Sequence, residues 1–403
     1  MVALLLVVGL VVAVFVGFNI GGSNTGVAFG PAVGSNAVSK LGAGVLMSFF
    51  VLLGGWTVGR NVVTTLSEGI VPSSLFTLET SIAVLFFIGF ALFLSNVAGV
   101  PASTSMTAVG AIVGLGLASG TLNEAVMLEI VAWWVVSVSP LIAFWISGVI
   151  GRYFYPRLVE WFAVTQSEGS LLVLDRSEGV PKPTLGPDTT PREFVGTASV
   201  IAIACYMAFS AGASNVANAV APLVGNGSLE LNAGILLGAG AIGLGALTIA
   251  RRTLDTVGND LTDMPLLAAL VVAVVSASLV TLLSAIGVPA SFVVIATMAI
   301  VGLGWGRATR TATLSQARRG EAPNVSVGAL AADAEDALTV GGRGGTPAPR
   351  ERSPIGQENS EDIPSTADLF EPGTTARVIA LQNLVPAIAT VAAYVVFQFV
   401  LTV

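Results

Sequence analysis

Small hydroxyl and amide side chains form two groups that each occur twice in this chain of 403 residues. Both groups stand within mostly apolar sequence. Neutral donors of this kind can hold a tetrahedral oxyanion, and their oxygen atoms can coordinate a cation such as sodium. The candidate anion-binding residues are Ser23, Asn24, Ser103, Thr104, Ser105, Ser214, Asn215, Asn218 and Ser291. The candidate ligands for such a cation are the amides of Asn24, Asn215 and Asn218.

The composition removes most of the usual enzymatic chemistry. The chain contains no histidine and a single cysteine, Cys205. A Ser-His-Asp triad, a Cys-His pair and a thiolate-histidine zinc site are therefore excluded. We predict that the protein is not an enzyme, that it has no catalytic or metal site, and that it needs no cofactor.

The elements that must position these side chains are membrane-spanning helices. Hydrophobic residues make up 54% of the chain and charged residues only 10%, whereas ordinary globular domains are about a quarter charged. About 20 mostly apolar residues cross the hydrocarbon layer as a helix. The pattern predicts an all-α polytopic protein of the cell membrane. Its ten spans are roughly 2–18, 41–59, 80–98, 104–119, 125–150, 195–210, 232–250, 265–286, 290–306 and 377–402.

Charged residues concentrate in two polar segments. They divide the chain into an N-terminal membrane repeat at 1–150, a connecting loop at 151–194, the first part of a C-terminal repeat at 195–306, an acidic loop at 307–376 and a final helix at 377–403. Low hydrophobicity with high charge predicts disorder in the acidic loop. The arginines that follow the fifth and ninth predicted spans favour a cytoplasmic position for both loops.

The two membrane parts are copies of one another. Residues 21–34 recur at 212–225, 191 positions further on, and the Gly-Val-Pro-Ala-Ser sequence of 99–103 recurs at 287–291, 188 positions further on. Two blocks in the same order at nearly the same offset indicate a duplicated half. If each half crosses the membrane about five times, an odd number, the two repeats are inverted, as in many secondary transporters.

The repeated blocks combine Gly or Pro with small polar residues, which predicts broken or re-entrant helices. A broken helix exposes backbone N–H groups at the start of its next segment, and these groups with the helix dipole bind anions. The alternative is that the small residues only allow helices to pack closely. For the two Ser-Asn pairs we favour the binding site.

The repeated motifs resemble those of the inorganic phosphate transporter (PiT) family. Residues 209–223 are similar to the family's Gly-Ala-Asn-Asp-Val-Ala-Asn-Ala motif, and residues 21–34 to its first-half copy. Residues 100–105 resemble the element Pro-Val-Ser-Thr-Thr-His, and residues 287–304 its second-half counterpart. Residues 251–258 look like the family's conserved helix end.

This resemblance implies a secondary active transporter that moves inorganic phosphate by alternating access, coupled to a sodium or proton gradient. The family's site residues carry over to the nine candidates named above. This chain departs from the family by having Ser-Asn in place of Asn-Asp in both halves, and by Val27, Phe292 and Val293 at expected polar positions. Its first motif is closer to a sulfate-transporting branch, so a sulfate permease of the same family is the alternative.

An anion channel is the alternative from another functional class. A channel is expected to have a ring of charges or carbonyls, usually formed by several subunits, and the duplicated motifs favour a transporter instead. The expected partners are inorganic phosphate or sulfate and the lipid bilayer, and no nucleic acid is expected. Whether the protein forms a homodimer is left open by the sequence.

Overall fold

A computed structural model of the protein describes residues 2–97, 103–134, 138–162, 172–175, 182–185, 189–248, 266–311 and 372–401. Within these ranges the chain is almost entirely helical. The helices are α1 (Val2–Gly34), α2 (Lys40–Thr57), α3 (Gly59–Thr64), α4 (Leu78–Val97), α5 (Thr104–Ser119), α6 (Glu124–Trp134), α7 (Val138–Val149), α8 (Tyr155–Phe162), α9 (Pro191–Gly225), α10 (Leu231–Thr248), α11 (Leu266–Ala285), α12 (Phe292–Thr311) and α13 (Pro372–Phe399). Shorter turns are π-helical at Thr65–Gly69 and Ile150–Phe154 and 3₁₀-helical at Ser73–Leu75. One antiparallel hairpin pairs β1 (Leu172–Asp175) with β2 (Lys182–Leu185).

The helices confirm the prediction of a multi-pass membrane protein. Six helices in the described part of the chain are long and apolar enough to cross a bilayer, namely α1, α2, α4, α9, α10 and α11. Shorter apolar helices are Thr104–Ser119, Phe292–Arg307 and Asn383–Phe399. Many large apolar side chains remain exposed on these helices, as lipid-facing surfaces require.

The predicted end of the fifth span, 125–150, is wrong, because helix continues beyond residue 150. The described residues of this stretch are α6, as far as Trp134, and α7, from Val138. Through the π-helical turn α7 then continues into α8, so helix extends into the predicted connecting loop as far as Phe162. The predicted acidic loop also begins later, since α12 extends to Thr311. Most of that loop lies outside the described residues, and so does the motif at 251–258.

The expected helix breaks at the two Ser-Asn pairs are also wrong. The helix α1 continues through its pair for 33 residues and α9 for 35 residues. Each is about 50 Å long, well beyond the roughly 30 Å of the hydrocarbon layer. Glycine does not interrupt them because lipid offers no water to replace the helical backbone hydrogen bonds.

The glycines of the Ser-Asn motifs instead allow helices from opposite halves to touch. A side chain at Gly21 of α1 would collide with the backbone carbonyl of Ile242 in α10, and one at Gly212 of α9 would collide with that of Val51 in α2. The two contacts are the same contact made twice, because each residue of the second is 191 positions from its counterpart in the first. A second such pair joins Gly54 to the Phe209 carbonyl and Gly245 to the Phe18 carbonyl.

The helices that follow the second repeated block also pack against helices of the opposite half. In α5, a Cβ at Gly114 would lie 2.7 Å from the carbonyl oxygen of Thr390 in α13. Its repeat counterpart, Gly302 in α12, abuts the carbonyl of Phe144 in α7. Each half therefore packs its helices against those of the other half, and the two halves form one interlocked bundle.

Candidate anion site

The first helix start of the site is the beginning of α5. Ser103 is the N-cap residue of this helix, and its hydroxyl accepts a hydrogen bond from the backbone N–H of Met106 at 3.2 Å. A serine at this position satisfies one of the backbone donors that a helix start leaves open. Ser103, Thr104 and Ser105 are all buried. The first turn of α5 therefore presents backbone donors and hydroxyl groups inside the protein.

The second helix start is the beginning of α12, and it is less polar. The Ser291 hydroxyl accepts from the backbone N–H of Val294 at 3.4 Å, which matches the role of Ser103. The next two residues are Phe292 and Val293, where α5 has Thr104 and Ser105. Ser291 is buried like its counterpart, so the two starts share a cap but only the first carries further hydroxyls.

A chain of hydrogen bonds links both helix starts to the middle of α9. Asn218 Nδ2 donates to Ser105 Oγ at 3.3 Å, Ser105 Oγ lies 3.2 Å from Ser214 Oγ, and Ser214 Oγ donates to the Ala290 carbonyl at 2.9 Å. We call these four residues the polar chain. Because the Ser214 proton goes to Ala290, the proton between the two serines must come from Ser105.

The amides of α9 have a defined orientation. Asn215 Nδ2 donates to the Ala211 carbonyl at 3.0 Å, which turns Asn215 Oδ1 toward Asn218 Nδ2 at 3.2 Å. The opposite orientation of Asn218 would place two carbonyl oxygens against each other. Asn218 Oδ1 is therefore the acceptor that this pair leaves open, and it is buried with no hydrogen-bond partner among the residues that the structure describes. Such an orphan acceptor costs about 1–3 kcal/mol, which a bound ligand can recover.

The first-half Ser-Asn pair does not join the polar chain in the described part of the molecule. Ser23 Oγ donates to carbonyls of its own helix, those of Asn19 and Ile20, both at 3.2 Å. Ser23 and Asn24 are both half-buried in α1. Among the described residues, the α9 copy of the motif therefore reaches the helix starts, whereas the hydrogen bonds of Ser23 stay within α1.

Three residues that make polar contacts near the repeated motifs were missed by the sequence analysis. Ala290 takes part through its backbone carbonyl, and its side chain carries no signal of this. Asn19 is buried one turn before Ser23, and Asn96 at the end of α4 donates to its Oδ1 at 3.2 Å. The lone amide at the end of an apolar stretch was the signal that could have found Asn96.

The side chains that meet here are electrically neutral. Hydroxyl and amide groups supply all the side-chain donors of the polar chain, and the residues that the structure describes contain no cluster of three His, Cys, Asp or Glu that would hold a metal ion. The start of α5 adds backbone N–H groups and the positive end of the helix dipole. A neutral, buried set of donors at a helix start is suited to an anion.

A bundle of membrane-spanning helices with a neutral polar site between its two halves has the architecture of a membrane transporter. The chain belongs to the phosphate transporter family, whose model matches residues 20–328. The resemblance stated from the motifs is thereby confirmed, and the family is one of transporters.

Individual relatives include proteins named for two different anions. The chain is 32% identical over 296 residues to the sulfate permease CysP of Bacillus subtilis, a match that covers 73% of this chain and 76% of the relative. It is 26% identical over 368 residues to a putative phosphate permease of Helicobacter pylori, a match that covers 75% of this chain and 69% of the relative.

Among solved structures, a sodium-dependent phosphate transporter has a similar fold. The TM-score is 0.58 with 21% identity, over 78% of this chain and 92% of that one. This likeness shows the fold alone, so the choice of substrate must be argued from the residues of the candidate site.

Proposed function

We propose that the protein is a secondary active transporter of an inorganic tetrahedral oxyanion, with phosphate as the first candidate. The observation that carries this proposal is the polar chain, which ties the α5 start from one half and Ala290 from the other to the centre of α9. An anion at the α5 start would find backbone donors and the Ser103, Thr104 and Ser105 hydroxyls. Membership of the phosphate transporter family supports the choice of phosphate.

We further propose that the two halves are inverted repeats and that transport proceeds by alternating access. The exchanged contacts of Gly21 and Gly212 support this, because two halves that pack reciprocally can tilt against each other about one shared site. The polar chain touches both halves at that site. Its bonds would have to rearrange whenever one helix start moves relative to the other.

Sulfate is the second candidate, and a specific observation favours it. No carboxylate takes part in the polar chain, and a carboxylate is the usual acceptor for the proton that phosphate carries near neutral pH. Sulfate is a dianion without such a proton, so donors alone can bind it. The 32% identical relative is named as a sulfate permease.

For the coupling cation we propose Asn218 as the principal ligand among the three amides predicted. Both amide atoms of Asn215 already have partners within α9, whereas Asn218 Oδ1 has none. An unpaired carbonyl oxygen next to an anion site suits Na⁺, because the two charges stabilise each other where water is scarce. Asn24 belongs to the other half and lies outside the polar chain.

Uptake by proteoliposomes tests these proposals together. Purified full-length protein would be supplied with labelled phosphate or labelled sulfate under an imposed sodium gradient, an imposed pH gradient, or none. We expect saturable accumulation of at least one anion that depends on one gradient, and acceleration by the same anion on the trans side. Failure of both anions to accumulate would refute the transporter proposal. Single-channel currents without trans-acceleration would favour a channel.

A further inference from the structure

We propose that the exposed face of α8 and of the turn before it is a binding site for anionic phospholipid headgroups. This headgroup face consists of Arg152, Tyr153, Phe154, Arg157, Trp161 and Arg192. It is separate from the polar chain, and the proposal does not depend on which anion the protein transports.

The helix that carries this face emerges from the membrane part of the protein. Together, α7, the turn Ile150–Phe154 and α8 form one continuous run of about 25 residues, which is about 37 Å long. That length exceeds the roughly 30 Å hydrocarbon layer. The first 14 residues of the run carry no charge, and its charged residues, Arg152, Arg157 and Glu160, all lie in the remaining 11, so this end is the one suited to the lipid headgroups.

One side of α8 holds it against the protein. Tyr155 is buried, and Leu158 and Val159 pack against the buried cluster that α11 and α12 contribute to. The guanidinium of Arg307, near the end of α12, lies over the Tyr155 ring with its carbon 4.4 Å from the ring centre. The spacing of three and four residues places these contacts on one helix face. The opposite face of α8 therefore points away from the protein.

The outward face combines large aromatic rings with arginines. Tyr153 is 61% exposed, Phe154 51% and Trp161 68%. Such rings are enriched at the level of the lipid headgroups, because one end of the ring is apolar and Tyr and Trp add a polar group. In water they would be a costly apolar surface, and within a headgroup layer they are stabilised.

The charge of this face is positive. Arg152 and Arg157 are exposed on it. Arg192, at the start of α9, donates to the carbonyls of Glu160 and Trp161 at 2.7 and 2.8 Å, which places a third guanidinium at the end of α8. Glu160 is the exposed acid of this face, and Glu193 is buried. Near an anionic membrane surface each basic residue contributes about 1 kcal/mol.

Retention of defined lipids by the purified full-length protein tests this site. The protein would be delipidated, exchanged into mixed micelles containing either phosphatidylglycerol or phosphatidylcholine, and weighed by native mass spectrometry. We expect retained phosphatidylglycerol and little phosphatidylcholine. Arg157→Gln should weaken phosphatidylglycerol retention about fivefold, the equivalent of one basic residue, and Arg157→Gln with Arg192→Gln should weaken it further.

The matched control is Arg60→Gln, which removes an arginine from a distant surface where it donates to Asn232 Oδ1. This variant should retain phosphatidylglycerol like the wild type. Equal retention of the two lipids, or an unchanged Arg157→Gln variant, would overturn the proposal. Displacement of phosphatidylglycerol by inorganic phosphate, at an ionic strength matched with chloride, would also overturn it and assign the face to free phosphate. Because no transport is measured, these results are independent of the proposed function.

Discussion

Ser214→Ala removes the central hydroxyl of the polar chain. Ser214 Oγ is fully buried, lies 3.2 Å from Ser105 Oγ, and donates to the Ala290 carbonyl at 2.9 Å. The substitution removes the acceptor of the Ser105 hydroxyl, which keeps its bond from Asn218 Nδ2, and removes the Ser214 donor of the Ala290 carbonyl. Hydrogen bonds between membrane helices average about 0.6 kcal/mol in double-mutant cycles, while a buried polar group left unpaired costs about 1–3 kcal/mol. We therefore expect a loss of about 1–4 kcal/mol in the free energy of unfolding.

The same substitution at the repeat counterpart provides the comparison for stability. Among the residues that the structure describes, the Ser23 hydroxyl bonds to carbonyls of its own helix, so Ser23→Ala breaks no described hydrogen bond between helices. Its effect on stability should stay within about 0.5 kcal/mol. A difference between the two variants thus measures the contact that α9 makes and α1 does not.

Measurements of anion uptake distinguish a variant with a damaged binding site from one with a destabilised fold. Ser210→Ala removes another buried α9 hydroxyl, one that donates to the Ala277 carbonyl at 3.1 Å and is not part of the polar chain. This variant should lower the free energy of unfolding by about 0.5–1.5 kcal/mol and should still take up the anion. Ser214→Ala should remain folded and lose uptake at least about tenfold. Unfolding would be followed in detergent, and uptake in proteoliposomes. Wild-type uptake by Ser214→Ala, or equal stability of Ser214→Ala and Ser23→Ala, would refute this account of the site.

Three further variants, one of them a control, test the packing and the coupling. Gly212→Val should destabilise the protein by about 3 kcal/mol or more, because its side chain would collide with the Val51 backbone in α2. Gly240→Val is the control, because a Cβ there meets no atom within 4 Å, and it should leave the unfolding midpoint nearly unchanged. Equal midpoints for the two variants would contradict the interlocked packing. Asn218→Leu should reduce the dependence of anion uptake on the cation gradient, since it removes the unpaired Oδ1, and uptake that retains the full wild-type dependence on that gradient would move the cation site elsewhere.

Sequence reasoning named three residues of the polar chain, Ser105, Ser214 and Asn218, because polar residues in an apolar helix are rare enough to stand out. It predicted helix breaks at both repeated blocks. The Ser-Asn pairs lie within continuous helices, whereas α5 and α12 begin beside the second block. Small residues within a helix are compatible with both a break and a close contact, and only the position of a neighbouring helix decides between the two.

What the sequence by itself determined is the membrane class, the duplication and the neutral character of the site. These follow from composition and from residue spacing along one chain, which do not depend on how distant segments meet. The tertiary structure decided that α9 engages the helix starts, since those hydrogen bonds join residues 76 and 109 positions apart. It also left Asn218 Oδ1 without a partner among the described residues. Whether a buried polar atom is paired depends on the distances and angles around it, and only the folded bundle sets them.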